Sequence, residues 1–173
     1  RVDADWVAKL EDKTVVLVSQ GTMEPDHSKL TIPAVEALKD SPYLIVVATA
    51  YSDTKRLRSL YPQDNVIIED YVDFDAVMPM ADVFVTNGGY GSVLQSIEYG
   101  LPMVCAGVHE GKSEICARID YARLGVDLKT ELPESTEIKK AIEQILSNSC
   151  YRDAVGKVQD EFAKYDTMVL CEQ

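Results

Sequence analysis

The sequence predicts an α/β fold: a parallel sheet of about six strands with helices on both faces. Two observations carry that expectation. Short β-branched runs alternate with longer stretches of helical spacing along nearly the whole chain, the pattern of strand–helix–strand crossovers. The short runs are apolar on both sides, as strands covered by helices on two faces must be. A length of 173 residues, 46% hydrophobic and 27% charged, suits one soluble domain with a sizeable core.

Taken in order, residues 14–18 (Thr-Val-Val-Leu-Val) read as the first buried strand. Residues 28–40 follow as a helix, with Leu30, Val35 and Leu38 near helical spacing. Residues 43–48 are the second strand and 53–61 a short helix. The third strand spans 66–68, followed by a helical turn at 75–80. The fourth strand, 83–85, leads through a glycine-rich turn into a helix over 91–100. The fifth, 103–106, precedes a helix at 113–124 that stops at Gly125. Residues 126–128 read as a sixth strand, with helices near 134–146 and 152–165 closing the chain. Right-handed crossovers place the loop after every strand on one rim of such a sheet, where open α/β folds bind ligands.

Charge and composition exclude several functions. Lys and Arg total 17 against 29 Asp and Glu, a formal charge of −12, which disfavours general nucleic-acid binding. No apolar run approaches the roughly 20 residues of a membrane helix, and no signal peptide opens the chain. The four cysteines, Cys105, Cys116, Cys150 and Cys171, form no CxxC pair and read as free thiols in a reducing, cytoplasmic setting. His27 and His109 lack metal-ligand spacing, so no metal is expected. Residues 1–13 read as a linker or tail from a missing N-terminal domain. Trp6 and Leu10 make an apolar i,i+4 pair there, without a sheet element of their own. Residues 14–173 form the domain.

Two loops stand out. Ser19-Gln-Gly-Thr22 follows the first strand, and Gly21 allows a tight turn that offers the Thr22 hydroxyl and amide to the rim. It is neither a dinucleotide fingerprint nor a P-loop. After the fourth strand comes Thr86-Asn-Gly-Gly-Tyr-Gly-Ser92 and then a helix. Three glycines there let the main chain approach a ligand, and Ser92 falls where an N-cap or first-turn hydroxyl belongs. Unpaired amides at a helix N-terminus attract phosphate without any lysine, which reconciles an anionic ligand with an acidic chain.

The flanks make this turn specific. Tyr71-Val-Asp-Phe74, Asp75-Ala-Val-Met78, Val83-Phe-Val-Thr-Asn-Gly-Gly-Tyr-Gly-Ser92, Gly100-Leu-Pro-Met-Val104 and Gly107-Val-His-Glu-Gly-Lys112 occur in this order. The stretch 71–128 thereby resembles the nucleotide-sugar donor domain of UDP-glycosyltransferase-like enzymes with the two-domain GT-B fold, so the sheet would be Rossmann-like, one half of that fold. The resemblance implies that Tyr71 and Val72 hold the nucleobase, by stacking and by main-chain hydrogen bonds. It implies that Asn87, Gly88, Gly89, Gly91 and Ser92 bind the diphosphate of a UDP- or dTDP-sugar, assisted by Gly21 and Thr22. Gln95 takes the position of the family's ribose-binding carboxylate, and Gly111 and Lys112 the positions that touch the donor sugar.

Four departures accompany the resemblance. Asn87 replaces His, Gln95 replaces Glu, Asp73-Phe74 replaces Pro-Gln, and Gly111-Lys112 replaces Asp-Gln. The last change removes a carboxylate and installs a cation. His109, in the same loop, is expected to be structural, since the general base of such enzymes belongs to the N-terminal domain; Asp75 and Asp82 read as helix-start and strand-entry residues, and His27 as a helix cap or an exposed side chain. The implied function is sugar transfer from a nucleotide diphosphate to an acceptor hydroxyl of a small, lipophilic molecule. Catalytic residues would be absent from this chain, and an acceptor domain in cis would complete it. A stand-alone donor subunit of a split transferase, paired with a separate acceptor subunit, and a non-catalytic nucleotide-sugar binding module are the alternatives.

Overall fold

A computed structural model of the chain describes residues 4–164. Its strands, β1 (Val15–Ser19), β2 (Leu44–Ala48), β3 (Val66–Glu69), β4 (Val83–Thr86), β5 (Met103–Cys105) and β6 (Gly125–Asp127), pair in parallel in the order β3-β2-β1-β4-β5-β6. Eight α-helices accompany them: α1 (Ala4–Val7), α2 (Thr31–Leu38), α3 (Thr54–Leu60), α4 (Phe74–Val77), α5 (Tyr90–Glu98), α6 (Lys112–Tyr121), α7 (Ser135–Leu146) and α8 (Cys150–Lys164). Every expected strand is present. The first crossover helix starts at Thr31 rather than residue 28, because the residues before it form a turn closed by Asp26.

Strand side chains divide strictly by parity. In β1, Val15 and Leu17 enter one apolar cluster and Val16 and Val18 the other. The first cluster is covered by α4, α5, α6 and α8, through residues such as Val77, Ile97, Ile119 and Val155. The second is covered by α2, α3 and α7, through Val35, Leu57 and Ile142. All five residues of β1 are buried, which explains why its sequence is apolar without alternation. Leu10, in the stretch expected to be a tail, is 2% exposed and lies in the first cluster, with Trp6 and Val7 packed against it.

Asp82 works as a strand-entry residue. Its Oδ2 accepts the Val15 amide at 2.8 Å, which fixes the start of β1 against β4, and Arg152 of α8 reaches its Oδ1 at 3.4 Å. The strand order reverses between β1 and β4, so the connections from these neighbours run off in opposite directions and leave a crevice at their C-terminal ends.

Candidate functional site

A cleft of about 520 Å³ opens at that crevice. It is lined by Gly21 and Thr22 after β1, Tyr71 and Val72 after β3, Asn87, Gly89, Gly91, Ser92 and Gln95 around the start of α5, and Lys112 at the start of α6. Of the residues singled out in the sequence, Gly88 and Gly111 are not in its wall. Gly88 faces inwards: with φ +77°, a Cβ there would stand 2.5 Å from the Cys116 sulfur of α6. Its role is to let the turn lie flat on α6. Gly111, at φ +79°, precedes α6 with nothing within 4 Å of where a Cβ would lie.

The turn between β4 and α5 builds a row of open amides. The Gly88 amide donates to the Thr86 hydroxyl at 3.3 Å, and the Gly89 amide to Asn87 Oδ1 at 3.1 Å. Gly89 occupies the N-cap and offers no side chain, so the helix is uncapped. The first amide to find a carbonyl in the helix is that of Val93, on Gly89, at 3.0 Å. The amides of Tyr90, Gly91 and Ser92 are therefore left for solvent or a ligand at the positive end of the helix dipole. Nothing lies within 4 Å of a Cβ built on Gly91, so the approach to them is bare. Ser92 is a first-turn residue rather than the cap. Beneath the turn, the Cys105 thiol is pushed well up by its hydrogen bond with Cys116 and by full burial, so it stays protonated.

Asn87 is engaged with protein on both ends of its amide. Its Nδ2 donates to the Gln20 carbonyl of the β1 loop and its Oδ1 holds Gly89, which leaves one N–H for anything in the cleft. Gln20 continues the scaffold. Its Oε1 accepts the Thr31 amide at 3.2 Å, and Thr31 meets His27 Nδ1 at 3.1 Å. His27 is thus neither a cap nor exposed: it is 4% exposed, and its Nε2 reaches the Ser52 carbonyl at 2.8 Å, tying the β1 and β2 loops together. The β2 loop needs that tether, since Ala50, Tyr51 and Asp53 all hold positive φ.

On the β3 side, Tyr71 is 68% exposed and Val72 is buried, and both line the cleft. Asp73 caps α4 by accepting the Asp75 amide at 3.1 Å. Asp75 itself, read from sequence as a helix-start residue, also belongs to the cleft wall. Its Oδ1 accepts from Gln95 Nε2 and from the Tyr99 hydroxyl, each at 3.0 Å, and the bond to Asp75 raises the Tyr99 pKa above that of a free phenol. No sequence signal joined positions 75 and 95, because the pairing depends on how α4 and α5 dock. Lys112 lines the cleft but is paired with Glu110 Oε2 at 3.1 Å. His109 pairs instead with Glu131 Oε1 at 3.3 Å and is outside the cleft wall. Asp70, Asp73, Asp75 and Glu110 make the rim acidic, so an anion seated here relies on main-chain amides. Among the described residues, no three His, Cys, Asp or Glu side chains gather as a metal site.

Comparison with known proteins gives a consistent result. The family model for the erythromycin biosynthesis protein CIII-like C-terminal domain matches residues 34–167. UDP-glucosyltransferase A1 of Starmerella bombicola is 35% identical over 173 residues, which cover 97% of this chain and 36% of that protein. UDP-glucosyltransferase 1 of Beauveria bassiana (strain ARSEF 2860) is 38% identical over 162 residues, 93% of this chain and 35% of that protein. The chain therefore spans about a third of the length of the curated relatives it matches. The crystal structure of the glycotransferase of kitacinnamycin superposes with a TM-score of 0.78 at 22% identity, over 88% of this chain and 40% of that one, and shows the shared fold.

Proposed function

This chain belongs to the erythromycin biosynthesis protein CIII-like C-terminal domain family of UDP-glycosyltransferases, and from that premise we propose that it is the donor-binding half of a glycosyltransferase. The reaction moves a sugar from a UDP- or dTDP-sugar to a hydroxyl of a small, lipophilic acceptor. One observation carries the reading: the bare, uncapped start of α5 opens into the cleft where the strand order reverses.

Each part of the cleft then has a task. The amides of Tyr90, Gly91 and Ser92 receive the diphosphate. They are already oriented, so they stabilise the charge that grows on the leaving group without reorganising. Thr22 adds a hydroxyl from the facing loop. Tyr71 stacks on the base, and the main chain of Val72 reads its edge. Asn87 holds the β1 and β4 loops at a fixed spacing and turns its remaining N–H to a phosphate oxygen. Lys112 meets the donor sugar or its inner phosphate. No metal takes part in this reading, since the helix terminus supplies the positive field. The acceptor pocket and the base that deprotonates the acceptor belong to the other half, an acceptor domain in cis, so this chain alone transfers nothing. The buried thiols of Cys105 and Cys116 suit a reducing compartment such as the cytoplasm.

Calorimetric titration of the chain with UDP and with dTDP tests the proposal. Saturable binding of at least one, without sugar transfer to any acceptor, is the expected result. Absence of binding by both, or turnover by the isolated chain, contradicts it.

A further inference from the structure

We infer that Asp75, held in place by Gln95 and Tyr99, is the acceptor for the ribose hydroxyls of the donor, and that it makes the site selective for a ribonucleoside over a 2′-deoxyribonucleoside diphosphate. The inference rests on the donor-binding reading above and settles which of its two nucleotide classes fits.

The geometry is specific. Gln95 on α5 and Tyr99, which caps its C-terminus, stand one turn apart, and both donate to the same oxygen, Asp75 Oδ1, at 3.0 Å. Two donors occupy the two lone pairs of that oxygen. Oδ2 carries no hydrogen-bond partner among the described residues, while Asp75 forms part of the cleft wall. A carboxylate with one oxygen anchored and the other open is an acceptor-only group with two vacant lone pairs, the complement of a vicinal diol. The anchoring pair fixes the rotamer, so little side-chain freedom is lost when a ligand arrives.

Its position agrees. Gln95 lies three to five residues beyond the open amides of Tyr90 to Ser92, roughly 5–8 Å along the helix axis. Asp75 also follows Tyr71 by four residues on the segment that offers the exposed ring. The carboxylate is therefore placed between the wall that suits a base and the turn that suits a diphosphate, where a nucleotide carries its pentose. Gln95 touches Asp75 as a donor and cannot repel it, whereas a carboxylate at position 95 would. Glutamine at 95 is thus a positioning residue, and the diol-accepting charge sits on the neighbouring helix.

The test compares UDP with 2′-deoxyuridine diphosphate, which share base and phosphates and differ by one hydroxyl. With the unaltered chain, UDP should bind about tenfold more tightly, the value of one hydrogen bond to a charged acceptor. Asp75→Ala should abolish the preference, with UDP losing about tenfold more affinity than the deoxy compound, which has only its 3′-hydroxyl contact to lose. Gln95→Ala should narrow the preference without abolishing binding, since Tyr99 still holds Oδ1; a thermal melt of each variant checks that the fold is kept. Equal binding of the two nucleotides by the unaltered chain, or a preference that survives Asp75→Ala, overturns the role of Asp75 while the donor site stands. Binding of neither nucleotide overturns both.

Discussion

Gly91→Ala separates binding from stability by giving them opposite signs. Gly91 is the second residue of α5 with ordinary helical backbone, and a Cβ built on it meets nothing within 4 Å. The methyl group therefore costs the fold nothing sterically, and the loss of backbone freedom in the unfolded chain is smaller for alanine. The gain is about 0.5–1 kcal/mol, or about 1–4 °C in Tm for a domain of this size. The same methyl projects over the amides that would receive the diphosphate. Losing one charge-assisted hydrogen bond at about 1.5–3 kcal/mol weakens UDP binding by roughly 10- to 150-fold. Thermal unfolding without ligand and calorimetry with UDP measure the two effects separately. A stabilised variant that binds UDP as well as the unaltered chain refutes the placement of the diphosphate on this turn.

Other substitutions probe the surrounding frame. Gly88→Ala forces a Cβ to 2.5 Å from the Cys116 sulfur at φ +77°, and should cost about 2–4 kcal/mol by thermal or urea unfolding. Adding Cys116→Ala should recover the steric part and leave about 1 kcal/mol of backbone cost; full recovery would show that φ at Gly88 is unstrained. Gln95→Glu sets a second carboxylate against Asp75, so the variant should melt lower than the unaltered chain at pH 7, with the gap closing on acidification as one of the pair takes up a proton. A gap that does not change with pH would show that the two carboxylates swing apart. Glu24 is held below the usual carboxylate range by Lys29 and the Asp26 amide. Its stabilising share is present above its unfolded pKa and lost as pH falls, so Glu24→Gln should flatten the acid limb of a Tm-against-pH curve; an unchanged limb assigns that limb to other carboxylates.

The sheet was legible in the sequence because its strands are buried on both faces. A run such as Val15 to Val18 tolerates no polar residue, so its strand character is written in every position. The glycine-rich turn was legible for a different reason: bare main chain at a helix start requires the small residues that Gly89 and Gly91 supply. Side-chain partnerships between distant segments were not. Nothing local to Asn87 shows that its amide would be taken by the Gln20 carbonyl, 67 positions away. His27 looked like a cap or a surface residue because the carbonyl of Ser52 arrives from another loop. Asp75 was read from its own helix alone, and its contact with Gln95 exists only once α4 and α5 pack on the same face of the sheet. Gly88 carries the opposite lesson: it belongs to the motif by sequence, yet its glycine is required by Cys116 beneath it rather than by a ligand above.

Three amides at the start of α5 carry the proposed diphosphate site, and nuclear magnetic resonance observes them one by one. With the ¹⁵N-labelled chain titrated against UDP, the Tyr90, Gly91 and Ser92 amide protons should show the largest downfield shifts, as expected of N–H groups that gain an anionic acceptor, and should do so in a single saturable phase. A spectrum in which UDP binds and those three signals stay in place would contradict the account.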